Sequence, residues 1–417
     1  MSLEKSQKIW NRQGEFILPV NKYIEPVLER GRGSFVWDVD GNKYLDLNGG
    51  QFCLCFGHGY PAFTKAITRQ LDNIIHTNTN TLSSGVFDAL QKLMEITEGK
   101  FKAGILLSTG AEAVEFALRF SKSIKKSDAM LFLNEGYHGS SLGAQSVSTY
   151  GKWAFPKIPG TFGVPVPKAP AEVNVCVGKI KRVLKENPEK IAAFIMEPVL
   201  GAGGMIFPPK QFFKAVRTLC DEHEVILIFD ECQTGFGRTG DWFCYQQYGI
   251  SPDVLIFAKA GGAGVPVSGV LFIERLVEKM RQGNLTHFGS HQNDPLAAAI
   301  LLFVIKEMQE RKILARVKNT GEILLNKLIK IATHHNAVVN PRGVGLMVAF
   351  DVREELFTED KNPGQALMKN LLTRGIIIQC INRGRTFRVL PNFLISLKEI
   401  NFFIANLEQS LAEIFHE

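Results

Sequence analysis

Asp230 and Lys259 stand at the ends of two apolar runs, and together they suggest the chemistry this chain can do. Residues 225–229 (Val-Ile-Leu-Ile-Phe) predict a buried strand with Asp230 at its C-terminal end. Residues 254–257 (Val-Leu-Ile-Phe) predict another, followed by Ala258, Lys259 and Ala260. In open α/β sheets, ligands bind at the C-terminal ends of the strands. A buried carboxylate needs a partner, or its pKa rises and it becomes neutral. Lysine rarely ends a buried strand, because its ammonium is costly to desolvate, and an amine with a lowered pKa suits Schiff-base formation and proton shuttling. An acid and an amine so placed suit a cofactor with a basic ring nitrogen at one end and an aldehyde at the other. The plainer readings are an aspartate paired with an arginine or a helix terminus, and a lysine that snorkels to solvent.

Three further segments could hold parts of such a ligand. Ser108-Thr109-Gly110-Ala111-Glu112-Ala113 lies between a predicted strand and a predicted helix. Its glycine lets backbone approach a ligand closely, and the helix N-terminus offers unpaired N–H groups, which makes a phosphate cradle. The alternative is a plain N-cap by Ser108 or Thr109. In Gly136-Tyr137-His138-Gly139 the aromatic ring at a strand tip can stack on a planar ligand, or simply pack in a turn. Arg388, between apolar neighbours, matches a substrate carboxylate with its bidentate fork, or makes an internal salt bridge. Gly235-Phe-Gly237-Arg-Thr-Gly240 fits a dinucleotide fingerprint in its letters only. Five residues separate it from Phe229, no amphipathic helix follows at once, and no acid lies near residue 260. Cys53-x-Cys55 and His334-His335 lack partners at zinc spacing, so no metal site is expected.

Holding these groups takes a particular set of elements. Short apolar strands at 104–107, 130–133, 192–196, 225–229 and 254–257 alternate with helices at 86–97 and 111–122. The second helix sets Ala113, Phe116, Ala117 and Phe120 on one face. Continuous apolar strands alternating with helices predict a mostly parallel sheet covered on both sides. Residues 34–47 predict a hairpin turning at Asp40-Gly41-Asn42. Residues 141–180, with Pro156, Pro159, Gly160, Pro165, Pro167 and Pro170, read as a long surface excursion. After about residue 300, helices at 296–311 and 316–333 precede strands near 345–350 and 376–380, a smaller α+β domain.

The bulk numbers fit an enzyme of ordinary composition. The 417 residues suffice for two or three domains, and 45% hydrophobic with 21% charged residues is typical of globular enzymes. A net charge of +7 is small for this length, and no basic block interleaves with aromatics, so nucleic acid is not an expected partner. Seven cysteines without regular spacing argue for a reducing compartment rather than a disulfide framework. The polar start, Met1-Ser-Leu-Glu-Lys-Ser-Gln-Lys, lacks the apolar stretch of a signal peptide. The longest apolar run, 296–305, is about half of the ~20 residues that span a bilayer and reads as a buried helix. A cytoplasmic location with no membrane partner is the expectation.

Taken in order, these segments resemble the class III aminotransferases, fold-type-I enzymes that use pyridoxal 5′-phosphate. The resemblance covers essentially the whole chain. It runs through Gly57-His58-x-x-Pro61, 108–113, Tyr137-His138-Gly139 and Glu197-Pro198. It continues through Asp230-Glu231-x-Gln233-Thr234-Gly235-x-Gly237-Arg238-Thr239-Gly240, Pro252-Asp253, Lys259, Pro295-Leu296-Ala297 and Arg388. It implies an α/β fold of fold type I: a mostly parallel central sheet covered by helices, with a smaller α+β C-terminal domain. The implied parts are an N-terminal segment 1–48 packing with the small domain, a large cofactor-binding domain 49–300 and a small domain 301–417.

By that resemblance Lys259 would form the Schiff base with the cofactor and Asp230 would pair with its pyridine nitrogen. Gln233 would lie near the phenolic oxygen, Tyr137 would stack on the ring, and Gly110 and Ala111 would hold the phosphate by backbone N–H. Thr109, His138 and Glu197 are implied cofactor neighbours. The family also places a hydroxyl from the partner subunit on the phosphate. Ser290, in Ser290-His-Gln-Asn-Asp294-Pro295, keeps that hydroxyl in altered surroundings, and a shared site implies a homodimer or larger assembly. The implied reaction moves an amino group from an amine or amino acid to a 2-oxo acid in two half-reactions.

Two departures bear on the substrate. Many ω-amine members carry a second glutamate in Glu-Pro-x-Gln-Gly-Glu that can neutralise the carboxylate-binding arginine. Here the run is Glu197-Pro-Val-Leu-Gly201-Ala202, which leaves Arg388 available and favours donors with an α-carboxylate over the standard 4-aminobutyrate or ornithine pattern. Gly50-Gln51 before Gly57-His58 resembles the dialkylglycine decarboxylases, which place a glutamine beside the scissile carboxylate, although those enzymes have tryptophan where Tyr137 stands. A decarboxylating transaminase is therefore the alternative, and a non-catalytic cofactor-binding protein is a third reading that the Lys259–Asp230 pair speaks against.

Overall fold

A seven-stranded sheet carries the fold. The computed structural model describes residues 3–20, 23–149, 158–187 and 190–415. Across the sheet the strands run Ala103–Leu107, Ser268–Phe272, Val254–Phe257, Ile226–Asp230, Ile191–Met196, Ala129–Leu133 and Thr161–Val164. All neighbours pair in parallel except Ser268–Phe272, which is antiparallel to both of its own. The strands 191–196, 226–230, 254–257 and 268–272 are buried along their full length. That is why their sequences are unbroken apolar runs rather than alternating ones.

The helix Gly110–Lys125 buries Ala113, Phe116, Ala117 and Phe120 as expected, in one core cluster with Ile195, Ile228, Ile256 and Val270 of the strands. Phe116 and Phe120 stack at 4.2 Å, and each such ring contributes roughly 1.5–3 kcal/mol by burial. The helix stops at Lys126, whose left-handed φ of 52° turns the chain back toward the next strand. The apolar run 296–305 lies inside the helix Pro295–Glu310, with Ile300, Leu301, Val304 and Ile305 buried. Among the described residues no helix is long and apolar enough to cross a membrane.

Two expectations need correction. The segment 141–180 is not a plain surface excursion. It holds the short helix Leu142–Ser146, the edge strand Thr161–Val164 and much of the helix Val173–Glu186. Pro159 and Gly160 lead into that strand, where Gly160 O accepts the hydrogen bond of Met130 N at 2.9 Å; Pro156 lies outside the described residues. The expected strand 376–380 is two strands. Ile376–Ile377 pairs in parallel with Lys43–Asp46, and Gln379–Ile381 pairs antiparallel with Thr386–Val389 in a different sheet. Three isoleucines in a row, 376–378, give no local sign of that change of partner at Ile378.

The chain falls into two compact units. One comprises residues 62–319 and 343–347 and contains the seven-stranded sheet. The other comprises 1–61, 320–342 and 348–417. Its first sheet holds Leu28–Arg32, Phe35–Asp38, Lys43–Asp46 and Ile376–Ile377. The expected hairpin is there, with Phe35 opposite Leu45 and Val36 opposite Tyr44. The Asp38 carboxylate closes its turn, accepting from Asp40 N, Asn42 N and Tyr44 Oη.

Candidate active site

Asp230 and Lys259 end neighbouring parallel strands of the central sheet, where Asp230 stands opposite Ile256. Lys259 opens the 3₁₀ turn Lys259–Gly262 with φ +47°, a left-handed conformation that costs a branched-Cβ-free lysine about 1–3 kcal/mol. Strain of this kind persists where the surroundings fix it, and here the turn sits against a buried aromatic: a Cβ on Gly261 would stand 3.0 Å from the Phe236 ring.

A hydrogen-bonded chain of buried groups surrounds Asp230. Its Oδ2 meets His138 Nδ1 at 2.8 Å and its Oδ1 accepts from Cys232 N at 3.1 Å. Burial pushes the Asp230 carboxyl up, but the His138 contact and the Cys232 N–H outweigh it and hold the group below its ordinary value. Glu197 shows the opposite balance. It is 2% exposed, and burial raises its carboxyl to about 7 against the pull of His138. Glu197 Oε1 accepts from Tyr137 N at 2.9 Å, and its Oε2 accepts from Gln233 Nε2 and Gly201 N, each at 3.4 Å. One carboxylate thus ties the Tyr137 backbone to the Gln233 side chain. Gly201 allows this approach, since a Cβ there would stand 2.1 Å from Gln233 Oε1. Gln233 Oε1 and His138 Nε2 are buried without a hydrogen-bond partner among the described residues.

The helix Gly110–Lys125 presents its N-terminus to this region. Thr109 caps it, its Oγ1 accepting from Glu112 N at 3.3 Å, while the Glu112 side chain accepts from Ser108 N at 2.9 Å. Ser268 Oγ donates to Thr109 O at 2.8 Å and fixes the cap to the antiparallel strand. The cap uses Glu112 N, so the ladder leaves the N–H groups of Gly110 and Ala111 to other partners. A Cβ on Gly110 would stand 3.0 Å from Cys232 Sγ and 3.5 Å from Ala258 Cβ, which places this turn beside both strand tips.

The sequence reading missed Glu231. It is fully buried, and its carboxylate accepts from Thr234 Oγ1, Cys244 N and Tyr245 N at 2.8, 2.6 and 2.8 Å. It pins both ends of the loop that contains Gly235-Phe-Gly237-Arg-Thr-Gly240, a run of turns followed by the short 3₁₀ helix Cys244–Gln247 rather than by an α-helix. Arg238 in that loop is fully buried and donates to Leu346 O at 3.0 Å. The glycine-rich segment is a scaffold under Asp230, as its poor match to a dinucleotide fingerprint implied. A charged residue directly after a buried strand was the signal that could have found Glu231.

The remaining expected site residues stand on other elements. Ser290 is exposed on the turn before the helix Pro295–Glu310. In the other unit Arg388 is 3% exposed on the strand Thr386–Val389, hydrogen-bonds Gln379 Oε1 and sets its guanidinium 4.9 Å over the Phe52 ring. Gln51 is exposed with φ +60°, beside Asn48 Nδ2 at 3.4 Å. Ala202 is buried and uncharged.

Comparison with known proteins fits this geometry. The family described as aminotransferase class-III matches residues 19–411. The 5-aminovalerate aminotransferase DavT of Pseudomonas aeruginosa is 31% identical over 99% of this chain and 100% of that protein. The acetylornithine aminotransferase of Methanosarcina acetivorans is 32% identical over 92% and 91% of the two chains. An amine transaminase from an uncultivated Pseudomonas species, solved in its PLP-bound internal-aldimine form, superposes with a TM-score of 0.89 at 26% identity, covering 96% of this chain and 98% of that one. A transaminase from the marine bacterium Virgibacillus reaches a TM-score of 0.93 at 23% identity over 98% and 99%, a likeness of fold. These relatives favour amino transfer over the decarboxylating alternative. With its fold-type-I sheet, its buried acid and its half-buried lysine at adjacent strand tips, the chain belongs to the class III aminotransferases, enzymes that move amino groups to 2-oxo acids with pyridoxal 5′-phosphate.

Proposed function

We propose that this aminotransferase takes its amino group from donors carrying an α-carboxylate, with Lys259 as covalent anchor and proton carrier and Asp230 as the partner of the cofactor's ring nitrogen. The buried residues fit the cofactor: Gln233 Oε1 and His138 Nε2 are orphaned polar atoms, and Gly110 keeps open a turn that a Cβ would crowd. Pyridoxal 5′-phosphate, when bound, supplies an aldehyde that condenses with amines and a protonated ring that withdraws electrons.

The chain's residues supply the rest. Asp230, kept ionised by His138 and Cys232, holds the proton on the ring nitrogen. Lys259 Nζ would take the donor's Cα proton as base and deliver it as acid to the cofactor carbon that receives the amino group. Gly110 and Ala111 hold the phosphate by N–H, with Thr109 setting the helix end. Tyr137 and Gln233, both fixed by Glu197, would meet the cofactor's ring and its phenolic oxygen respectively. Arg388 takes the substrate carboxylate in a bidentate pair, and Gln51 lies on the substrate side.

The observation that carries the donor class is Ala202, buried where many ω-amine members hold an acid that neutralises Arg388. The seven free cysteines suit a reducing compartment such as the cytoplasm. The reading also includes a homodimer in which Ser290 of each chain serves the other's phosphate.

A half-reaction screen tests the donor class. Loss of the cofactor–lysine absorbance is followed with α-amino acids, 5-aminovalerate and simple ω-amines in turn. Response to α-amino acids, abolished in Arg388→Ala, is expected. Response to ω-amines alone would refute it.

A further inference from the structure

Arg388 lies on the strand Thr386–Val389 between two antiparallel neighbours, with Ala349 opposite it on one side and Gln379 on the other. Residues directly opposite on paired strands share a face, with Cβ atoms about 4.5–5.5 Å apart. The backbone register alone therefore sets the Gln379 carboxamide beside the Arg388 guanidinium, and Arg388 Nη2 donates to Gln379 Oε1. Ala349 offers only a buried methyl group on the other flank. Two residues along the same face Thr386 stands opposite an acid, Asp351. That acid is engaged by another arginine: its two oxygens accept from Arg342 Nη1 and Nη2, each at 3.0 Å, and Oδ1 also accepts from Thr386 Oγ1 at 2.8 Å.

A strained turn of the same unit builds the floor beneath Arg388. Gly49, Gly50, Gln51 and Phe52 have φ of 54°, 55°, 60° and 72°, a left-handed run that includes two residues with side chains. The turn is held at several points. Phe52 N donates to Asn48 O and Leu54 N to Gly49 O, each at 3.0 Å, while Asp46 Oδ1 accepts from Asn48 N at 2.9 Å and Gly49 N at 3.0 Å. Leu390 N donates to Leu47 O at 2.8 Å, which ties the turn to the end of the strand that carries Arg388. Phe52 is thereby buried with its ring 4.9 Å from the guanidinium carbon, and its face attracts the cation without using an N–H. A guanidinium has five N–H donors and keeps its charge at any ordinary pH, so one carboxamide oxygen fixes its direction and leaves donors for a second ligand.

We propose that Gln379 sets the preference for the amino donor: its carboxamide aims Arg388 and adds no counter-charge, so the carboxylate of the donor meets a neutral neighbour instead of a competing acid. The inference rests on the reading of Arg388 as the group that takes the donor carboxylate. Gln379 acts through Arg388 and is a positioning residue. The choice of a neutral side chain at this place is what matters. A glutamate at 379 would have the same shape and would close a fork-to-fork ion pair with Arg388, which is 3% exposed, and a donor carboxylate would then have to displace it.

The test uses the cofactor-loaded enzyme and an α-amino acid that reacts in the half-reaction screen. In Gln379→Glu the KM for that donor should rise more than about tenfold, the loss of one hydrogen bond between charged groups, and the loss should lie in KM far more than in kcat. Competitive inhibition by butyrate, a carboxylate without an amine, should weaken by a similar factor, while the melting temperature and the cofactor absorbance stay at wild-type values. Gln379→Met, neutral and of similar length, should raise KM less than Gln379→Glu does. In an Arg388→Ala background Gln379→Glu should add no further loss, because the two act as one unit. If Arg388→Ala abolishes the response to α-amino acids and Gln379→Glu leaves KM and butyrate inhibition unchanged, this inference fails and the donor class stands. Equal losses in Gln379→Met and Gln379→Glu would also overturn it, since position and not charge would then matter. An unchanged KM in Arg388→Ala would overturn the donor-class reading and this inference with it.

Discussion

Asp230 and Glu197 are two buried carboxylates that touch the same cluster and are driven to opposite states. Asp230 has an imidazole and a backbone N–H on its oxygens and stays low, whereas Glu197 has two backbone N–H groups and a neutral amide and rises to about 7. Such a split assigns roles: the ionised group can hold a cation's proton, and the near-neutral one is a structural clamp. Asp230→Asn should keep the fold and the cofactor while turnover falls by about 10²–10³-fold, the loss typical of one preorganised electrostatic partner, as measured by kcat beside cofactor absorbance. Glu197→Gln tests the clamp through stability. A carboxyl whose pKa is 4.5 unfolded and about 7 folded binds the proton more tightly when folded. Its contribution is therefore favourable at low pH and is lost as pH rises through about 7. Gln cannot ionise, so the variant should gain on the wild-type protein between about pH 4.5 and about pH 7, approaching the slope of one proton, and level off above that. Urea midpoints of the cofactor-free proteins across that range would show it, and a pH-independent difference would mean that Glu197 titrates normally. Asp230 and Lys259 were legible in the sequence because a charge at the end of an apolar run is conspicuous. Glu231 carried the same signal, but its role was hidden, because two of its three partners, Cys244 N and Tyr245 N, are backbone groups that no side-chain pattern reveals.

At the scale of elements, the N-terminus of the helix Gly110–Lys125 accommodates both readings of its residues. Thr109 caps it through Glu112 N, a bond that uses neither the Gly110 nor the Ala111 N–H, so an ordinary N-cap and the proposed phosphate cradle are compatible. Thr109→Ala removes the cap oxygen and should lower stability by about 1 kcal/mol, seen as a fall in melting temperature, and Thr109→Ser should restore it. The same scale separates what the sequence shows from what it hides. Strands buried on both faces declare themselves as unbroken apolar runs, and 191–196, 226–230 and 254–257 were found on that signal. The edge strand Thr161–Val164 has only one buried residue, and its flanking prolines and glycine resemble a loop. Ser268–Phe272 follows a glycine-rich turn too closely for a crossover helix, and its antiparallel pairing depends on partners at 103–107 and 254–257 that local pattern cannot supply. For the same reason the break at Ile378, where the chain changes sheets, cannot be read from residues 376–381 alone.

At the scale of the whole molecule, the unit 62–319 leaves large apolar side chains in solvent: Leu71, Ile74, Leu82, Phe87 and Phe288 are 52%, 52%, 91%, 70% and 77% exposed. Exposure of that extent fits an interaction surface, and a second copy of the chain is the partner that the proposed sharing of Ser290 requires. Subunit mixing tests this more sharply than a mass measurement. If each phosphate takes its hydroxyl from the other chain, Lys259→Ala and Ser290→Ala place their defects in one site of a heterodimer. The other site then has a native Lys259 and a native Ser290. Equal amounts of the two variants, dissociated and allowed to reassociate at limiting cofactor, should regain about a quarter of wild-type activity, since half of the dimers are mixed and each has one intact site. If Ser290 serves its own chain, no intact site forms and mixing adds nothing to the sum of the two variants.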